Sequence, residues 1–340
     1  MKKHSKIQLP DLNKYREDFA RKGIQTPLQT VPFTELGLLT QLPTPSSSKT
    51  GWPWTVESKP LPPTMANGKP WPKISIVTPS YNQGKFIEET IRSVLLQNYP
   101  NLEFIICDGG STDETKEILE KYSPWLSFWQ SQKDRGQGHA INLGFSLCSG
   151  DYFAWINSDD FYLPNCFQDV IQKFLVTNID FIYGDALTVY EDNRTPTYWY
   201  AQLVLDRYLY SGGIIASHSA FWKSSIHAPI WEEMNCNIDG ELWQRLVAGR
   251  SKKHLKKALG ACRIQSEQKT TNERYRALWD EDNLKIWSVY GYPPKVYSLK
   301  WWENNLVQRF YYFIHKKIMK SGINDLILQG LRTCDENIDL

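Results

Sequence analysis

Short apolar runs alternate with segments of helical period between Lys73 and Ile156, and each apolar run ends in a polar cluster. Ile74-Ser-Ile-Val77 runs into TPSYNQG, and FIEETIRSVLLQ follows with Ile87, Ile91, Val94 and Leu95 at helical spacing. Residues 102–107 run into DGGSTDE, where Ser111 and Glu114 have the spacing of a capping box and predict a helix start. Residues 126–130 predict a third strand, GQGHAINLGFSLC the next helix and residues 152–156 a fourth strand. Strands separated by helices pair in parallel and are covered on both faces. The expected class is therefore α/β, a mostly parallel sheet flanked by helices. In such sheets ligands bind outside the carboxyl ends of the strands. TPSYNQ, DGGST and NSDD all fall there, so three separate loops are expected to meet in one cleft.

The rest of the chain sets limits on function. With 39 basic and 37 acidic residues the net charge is +2, which offers no global field for nucleic acid. The six cysteines (107, 148, 166, 236, 262 and 334) show no C-x-x-C pair and read as reduced thiols of a cytoplasmic protein. The basic start MKKHSK lacks the apolar stretch of a secretory signal, and no run reaches the ~18 apolar residues of a membrane span. Residues 1–72 hold 11 of the 19 prolines and read as an irregular extension, ordered in part by Trp52, Trp54 and Trp71. The expected organisation is this extension, a domain over residues 73–270 with halves meeting near residue 165, and a helical region from residue 271.

Two nucleotide signatures are missing. There is no G-x-x-x-x-G-K-[ST], and Gly136-Gln-Gly138-His-Ala-Ile141 has Ile where a dinucleotide-binding fingerprint needs glycine. The segments ISIVTPSYNQGKFIEETIRSVLLQNYPNLEFIICDGGSTDET and DRGQGHAINLGFSLCSGDYFAWINSDDFYLP instead resemble glycosyltransferase family 2, the GT-A-fold sugar-nucleotide transferases of bacterial polysaccharide assembly. The resemblance covers roughly residues 73–270.

It implies a nucleotide site at matching positions. Thr78, Pro79, Tyr81 and Asn82 would cradle the nucleoside, with Tyr81 stacking on the base. Asp108 would hydrogen-bond the base, with Gly109 beside it allowing close backbone approach. Asp134, Arg135 and Gly136 would close over base and ribose. Relatives carry D-x-D or a variant after the fourth strand, and here Asn157-Ser158-Asp159 stands in its place, followed by Asp160. Asp159 then becomes the metal ligand for Mg²⁺ or Mn²⁺, with donor phosphates completing the coordination. Asn157 and Ser158 would serve the nucleotide, and Asp160 a helix start or the metal's surroundings.

On the acceptor side CNIDGELWQRLVAG resembles the family's acidic pair before a Leu-Trp-x-Arg helix. Asp239 falls on the general-base position of an inverting transferase, with Glu241 as the alternative. Asp185, His218, Trp222 and Arg245 are further candidates for donor or acceptor contact. The implied function is transfer of a sugar from a nucleotide-sugar donor, by default a UDP-sugar, to a saccharide or lipid-linked acceptor in cell-envelope polysaccharide synthesis. Two rivals are a sugar-phosphate nucleotidyltransferase and a non-catalytic nucleotide-sugar-binding protein. The former usually has a Gly- and Arg-rich loop that TPSYNQ lacks, and the latter would need neither Asp159 nor a base. Finally, WWENNLVQRFYYFIHKKIMK mixes aromatic and basic residues. It suits either packing on the catalytic domain or a peripheral contact with the inner face of the membrane.

Overall fold

A computed structural model describes residues 7–192, 194–206, 209, 215–266, 268–293, 295 and 298–319. The first four strands of the domain, β1 (Ile74–Ser80), β2 (Leu102–Asp108), β3 (Phe128–Ser131) and β4 (Tyr152–Trp155), pair in parallel in the order 3-2-1-4. Their connections are α2 (Gly84–Leu95), α3 (Thr115–Tyr122) and α4 (Gln137–Leu147). In β2, Leu102, Phe104 and Ile106 face one core while Ile105 and Cys107 face another. Both faces are therefore covered, which is why these strands read as unbroken apolar runs.

The same sheet continues beyond β4. β8 (Ala220–Lys223) is antiparallel to β4 and to β6 (Phe181–Tyr190), and β6 runs parallel to the long β9 (Lys252–Ile264). Two short antiparallel strands complete it: β5 (Phe161–Tyr162) on β9, and β7 (Thr197–Trp199) on β6. The second half thus carries antiparallel pairs that the alternating pattern of the first half did not predict. α5 (Cys166–Val176), α6 (Ile238–Leu246), α7 (Arg276–Tyr290) and α8 (Leu299–Met319) follow their strands in order. The expected helical C-terminal region is present in α7 and α8.

The Pro-rich extension is bound to the domain. Val31, Leu38, Leu42, Trp52, Leu61 and Trp71 join the core on the α2 side. Arg92 of α2 is fully buried, and its guanidinium donates to the carbonyls of Pro43, Pro53 and Trp54 at 2.9 Å each. The extension is also not wholly irregular, because α1 (Leu12–Arg21) forms behind an Asp11 cap that accepts from Asn13 N. α1 buries Phe19, and its Arg16 donates to the carbonyls of Ser146 and Cys148 at the end of α4.

The capping box does not form. Ser111 Oγ donates to Asp108 at 2.5 Å and accepts from Asn82 N, while Asp113 accepts from Thr115 N at the start of α3. Ser111 is used to join the first two loops rather than to cap a helix.

Candidate functional site

The loops after β1 and β2 are joined directly, and the NSDD loop follows β4, the neighbour of β1 in the sheet. Asn82 adopts a left-handed conformation (φ 50°), and its side chain accepts from Thr112 N at 2.9 Å. That contact locks the loop after β1 to the loop after β2. Asp108 is buried and accepts from Gly110 N, Ser111 N, Ser111 Oγ and Ser131 Oγ. It organises the second loop and fastens β3 to it. Thr78 and Ser80 are buried at the end of β1 with hydroxyls that have no hydrogen-bond partner among the described residues, and Tyr81 stands exposed beside them. Orphaned hydroxyls next to an exposed aromatic ring suit a polar, flat ligand.

Gly109 lies against the Asp134 carboxylate, where an added Cβ would sit 3.0 Å from an oxygen. Burial holds the Asp134 carboxyl above the usual range, and the neighbouring Asp108 adds to this. Gly136 (φ 111°) donates its N–H back to Asp134 and opens α4 in a conformation that favours glycine.

The NSDD loop lies at the end of β4. Asn157 accepts from Gln137 Nε2 at 2.9 Å and donates to Asp160 at 3.3 Å. Ser158 is buried, and its carbonyl accepts from Thr90 Oγ1. Asp159 accepts from Gln265 Nε2 at 2.9 Å, and its pKa is raised to about 6, chiefly by burial and then by Asp160. Asp160 accepts from Arg263 N and lies 3.6 Å from His218 Nδ1. His218 is buried, and its Nε2 has no partner among the described residues.

Asp239 occupies the first turn of α6 and accepts from Gly240 N at 2.9 Å. Burial raises its pKa to about 6, against backbone hydrogen bonds and the field of His218, which lower it. His218 thus faces Asp239 on one side while its ring borders Asp160 on the other.

Several expected contacts lie elsewhere. Glu241 is fully buried, with both oxygens held by Arg245 at 2.8 and 2.6 Å and a third bond from Tyr290 Oη. That pair is interior cement, so Glu241 is withdrawn as the alternative base and Arg245 as a phosphate contact. Trp222 has no exposed surface and stacks among Phe181, Trp243 and His227, so it offers no sugar platform. Arg135 turns to Glu232 and Tyr15, at 2.6 and 2.7 Å, and ties its loop to α1. Asp185 is buried among His254, His315 and Tyr198, away from any open face.

Residues 75–228 match the model of "Glycosyl transferase family 2". Residues 75–228 belong to this family. An uncharacterized glycosyltransferase of Rickettsia typhi is 37% identical over 94 residues, 28% of this chain and 29% of its own length. The Escherichia coli UDP-Glc:alpha-D-GlcNAc-diphosphoundecaprenol beta-1,3-glucosyltransferase WfgD is 34% identical over 113 residues, 33% of this chain and 45% of its own length. The chain spans less than half the length of these curated relatives. Among solved structures, S. aureus TarS 1-349 superposes with a TM-score of 0.48 at 18% identity, over 75% of this chain and 74% of that one.

The family 2 segment ends before Asp239, and most of what sequence reasoning missed also lies beyond it. Gln265 and Lys269 follow β9. Lys269 Nζ donates to Gln137 Oε1 at 3.1 Å and to the Asn235 carbonyl at 2.8 Å, and burial pulls its pKa down. Gln137 in turn bonds Asn157, so Lys269 is connected to the NSDD loop through one side chain. Asp282 of α7 accepts from the N–H groups of Asn235, Cys236 and Asn237 at 2.8, 2.6 and 3.0 Å, which fixes the loop ahead of Asp239. For Gln265 and Lys269 the sequence signal was their polarity after an apolar strand; Asp282, within α7, carried no local signal.

Proposed function

We propose that this chain is an inverting glycosyltransferase that moves a sugar from a nucleotide-sugar donor, a UDP-sugar by default, to a saccharide or lipid-linked acceptor. One observation carries the reading. Asp159, after β4, and Asp239, on α6, are half-buried carboxylates whose pKa burial raises to about 6; Asp160 beside Asp159 lies 3.6 Å from His218, and His218 also acts on Asp239. Carboxylates with perturbed pKa values cluster at sites of chemistry.

In this reading the loops at Thr78–Asn82 and Asp108–Gly110 receive the nucleoside, Tyr81 stacking on the base and the orphaned hydroxyls of Thr78 and Ser80 meeting polar groups. Asp159 beside Asp160, with Gln265 as its one side-chain donor among the described residues, is a set that a divalent cation would relieve. The oxygen donors suit Mg²⁺ or Mn²⁺, held by Asp159 together with the donor's phosphates. Such an ion neutralises charge developing on the departing diphosphate. Lys269 brings a second positive charge to the same loop. Asp239 takes the proton of the acceptor hydroxyl, and a pKa near 6 leaves it ionised at neutral pH yet basic enough to act.

The names of relatives support both acceptor classes. WfgD is named for a diphosphoundecaprenol acceptor, and a 40% identical relative over 106 residues is an E. coli chondroitin synthase. No helix among the described residues is long and apolar enough to cross a membrane. Leu299, Trp302, Leu306, Phe310 and Phe313 are exposed at helical spacing on α8, near Lys316 and Lys317. This face supports peripheral contact with anionic lipid, and failure to sediment with anionic vesicles at low salt ends that part of the reading. The deciding test of activity is a panel of nucleotide sugars with Mg²⁺ or Mn²⁺ and candidate acceptors. Release of nucleoside diphosphate with product formation is expected from one donor. Normal transfer by Asp239→Asn overturns the base assignment.

A further inference from the structure

Asp185, His254 and His315 come from β6, β9 and α8 and are all buried. One ligand atom from each lies within 4.8 Å of the other two. His254 Nε2 is 2.9 Å from Asp185 Oδ1, and His315 Nε2 is 3.0 Å from Asp185 Oδ2. We propose that these three side chains bind a zinc ion that pins α8 to the catalytic sheet, a site separate from the donor cleft. The proposal does not rest on the transferase reading, since none of the three is placed in the donor or acceptor machinery.

Three observations support it. The first is an unsatisfied imidazole. His315 has no exposed surface, and neither ring nitrogen makes a hydrogen bond of acceptable geometry among the described residues, although Nε2 points close to Asp185. A buried ring without hydrogen bonds is costly, and a metal–nitrogen bond would satisfy Nε2 directly.

The second is the support around the ligands. His254 Nδ1 is 2.5 Å from Tyr311 Oη, which leaves Nε2 facing Asp185. Tyr198 Oη and Ala201 N donate to Asp185 at 2.8 Å each. Metal-binding imidazoles and carboxylates are commonly oriented by such outer partners.

The third is the backbone. The β6–β9 ladder shifts register on both sides of Asp185, between Gly184 and Asp185 and again between Asp185 and Ala186. Such irregularities re-aim a side chain at the cost of ladder pairing.

The donor set selects the ion. Two imidazoles and one carboxylate in a dry interior suit zinc and other first-row transition metals far better than Mg²⁺, which demands oxygen ligands and retains water. Zinc bonds of ~2.0–2.1 Å place tetrahedral ligands about 3.3 Å apart, so the two carboxylate–imidazole separations need to open only slightly. On binding, each Nε2 gives up any proton it carries to solvent, and His254 keeps its proton on Nδ1 toward Tyr311.

The test uses the full-length chain, freed of any affinity tag, mixed with Zn²⁺ alone and dialysed. Elemental analysis is expected to find about one zinc per chain. Asp159→Ala should retain it, and His315→Gln should lose it, as should His254→Gln. Because a buried histidine variant can misfold, Tyr311→Phe serves as the milder probe and should weaken zinc affinity about 10- to 100-fold. Co²⁺ in place of Zn²⁺ should give visible absorption that disappears in His315→Gln with the circular dichroism unchanged. Wild-type protein that holds no more zinc than His315→Gln overturns the proposal, as does zinc that is lost with Asp159→Ala and kept in both histidine variants. The first of these outcomes would leave the triad a metal-free buried contact between α8 and the sheet.

Discussion

His218 Nδ1 lies 3.6 Å from an Asp160 carboxylate oxygen, and both side chains are buried. His218 enters from the turn before β8, whereas Asp160 follows β4, so this contact joins the acceptor half of the sheet to the donor half. His218 also acts on Asp239, which links it to carboxylates of both halves. His218→Ala should therefore raise the donor KM by about tenfold, the scale of one lost charged contact of ~1.5 kcal/mol. Steady-state kinetics on the folded variant checks this, and an unchanged KM and kcat would make the histidine purely structural.

Gly260 shows the same histidine from the other side. A Cβ there would sit 2.3 Å from the His218 carbonyl oxygen and 3.2 Å from its ring. The backbone of β9 and the turn before β8 must therefore approach closer than any other residue allows. Gly260→Ala should destabilise the protein by about 1–3 kcal/mol through overpacking and lower kcat without touching substrate. Urea unfolding and kinetics on the same preparation measure the two effects.

The sequence revealed the donor half well, because its strands are buried on both faces and its loops carry their polar residues next to the strands that hold them. Asn82, Asp108 and Asp159 needed no distant partner to be noticed. The acceptor half was read less well for a physical reason. Glu241 and Arg245 are four residues apart on α6, and nothing local shows whether such a pair faces a cleft or the interior. Tyr290, which completes their burial, comes from α7. Trp222 was similarly ambiguous, since aromatic platforms and core aromatics have the same composition. Lys269 and Asp282 acquire meaning only through partners more than 30 residues away in sequence. α1 was missed because the prolines around it dominated the reading of the first 72 residues.

Lys269 carries the clearest prediction from that unread portion. Its half-buried ammonium donates to Gln137 and the Asn235 carbonyl and to no carboxylate among the described residues, and desolvation lowers its pKa. A cation held at such cost beside the NSDD loop fits a diphosphate partner. Lys269→Met should raise donor KM about 10- to 100-fold, by the loss of one charge-assisted bond, while binding of the free nucleoside changes little. Calorimetric titration with nucleoside and with nucleoside diphosphate separates the two.

Arg92 tests the role of the Pro-rich extension. Its guanidinium satisfies three carbonyls of that extension and also donates to Tyr122 Oη at 3.1 Å. Arg92→Met keeps much of the volume but leaves those carbonyls unpaired. The loss should be about 3–5 kcal/mol, as for other broken buried polar networks. Tryptophan fluorescence from Trp52 and Trp54 should report early release of the extension in urea. A single unfolding transition at the wild-type midpoint would show that the extension is held by apolar contacts alone.

Asp239→Asn separates chemistry from stability because the two should move in opposite directions. Loss of the base should cut kcat by about 10²- to 10⁴-fold with donor affinity retained. For stability the sign follows from a folded pKa of about 6 against an ordinary value of 3.8. The native state then binds a proton more tightly than the unfolded chain, so this group favours folding most below about pH 4 and loses that contribution as pH rises through 6. At pH 8 the wild-type protein carries a buried charge that the amide lacks. Asp239→Asn should therefore be more stable than wild type at pH 8, by up to about 3 kcal/mol for a shift of roughly two units, and nearly equal to it at pH 4. Urea midpoints across that range test this, and a variant equally destabilised at every pH would mean that Asp239 is held ionised by partners in the fold and is not poised as a base.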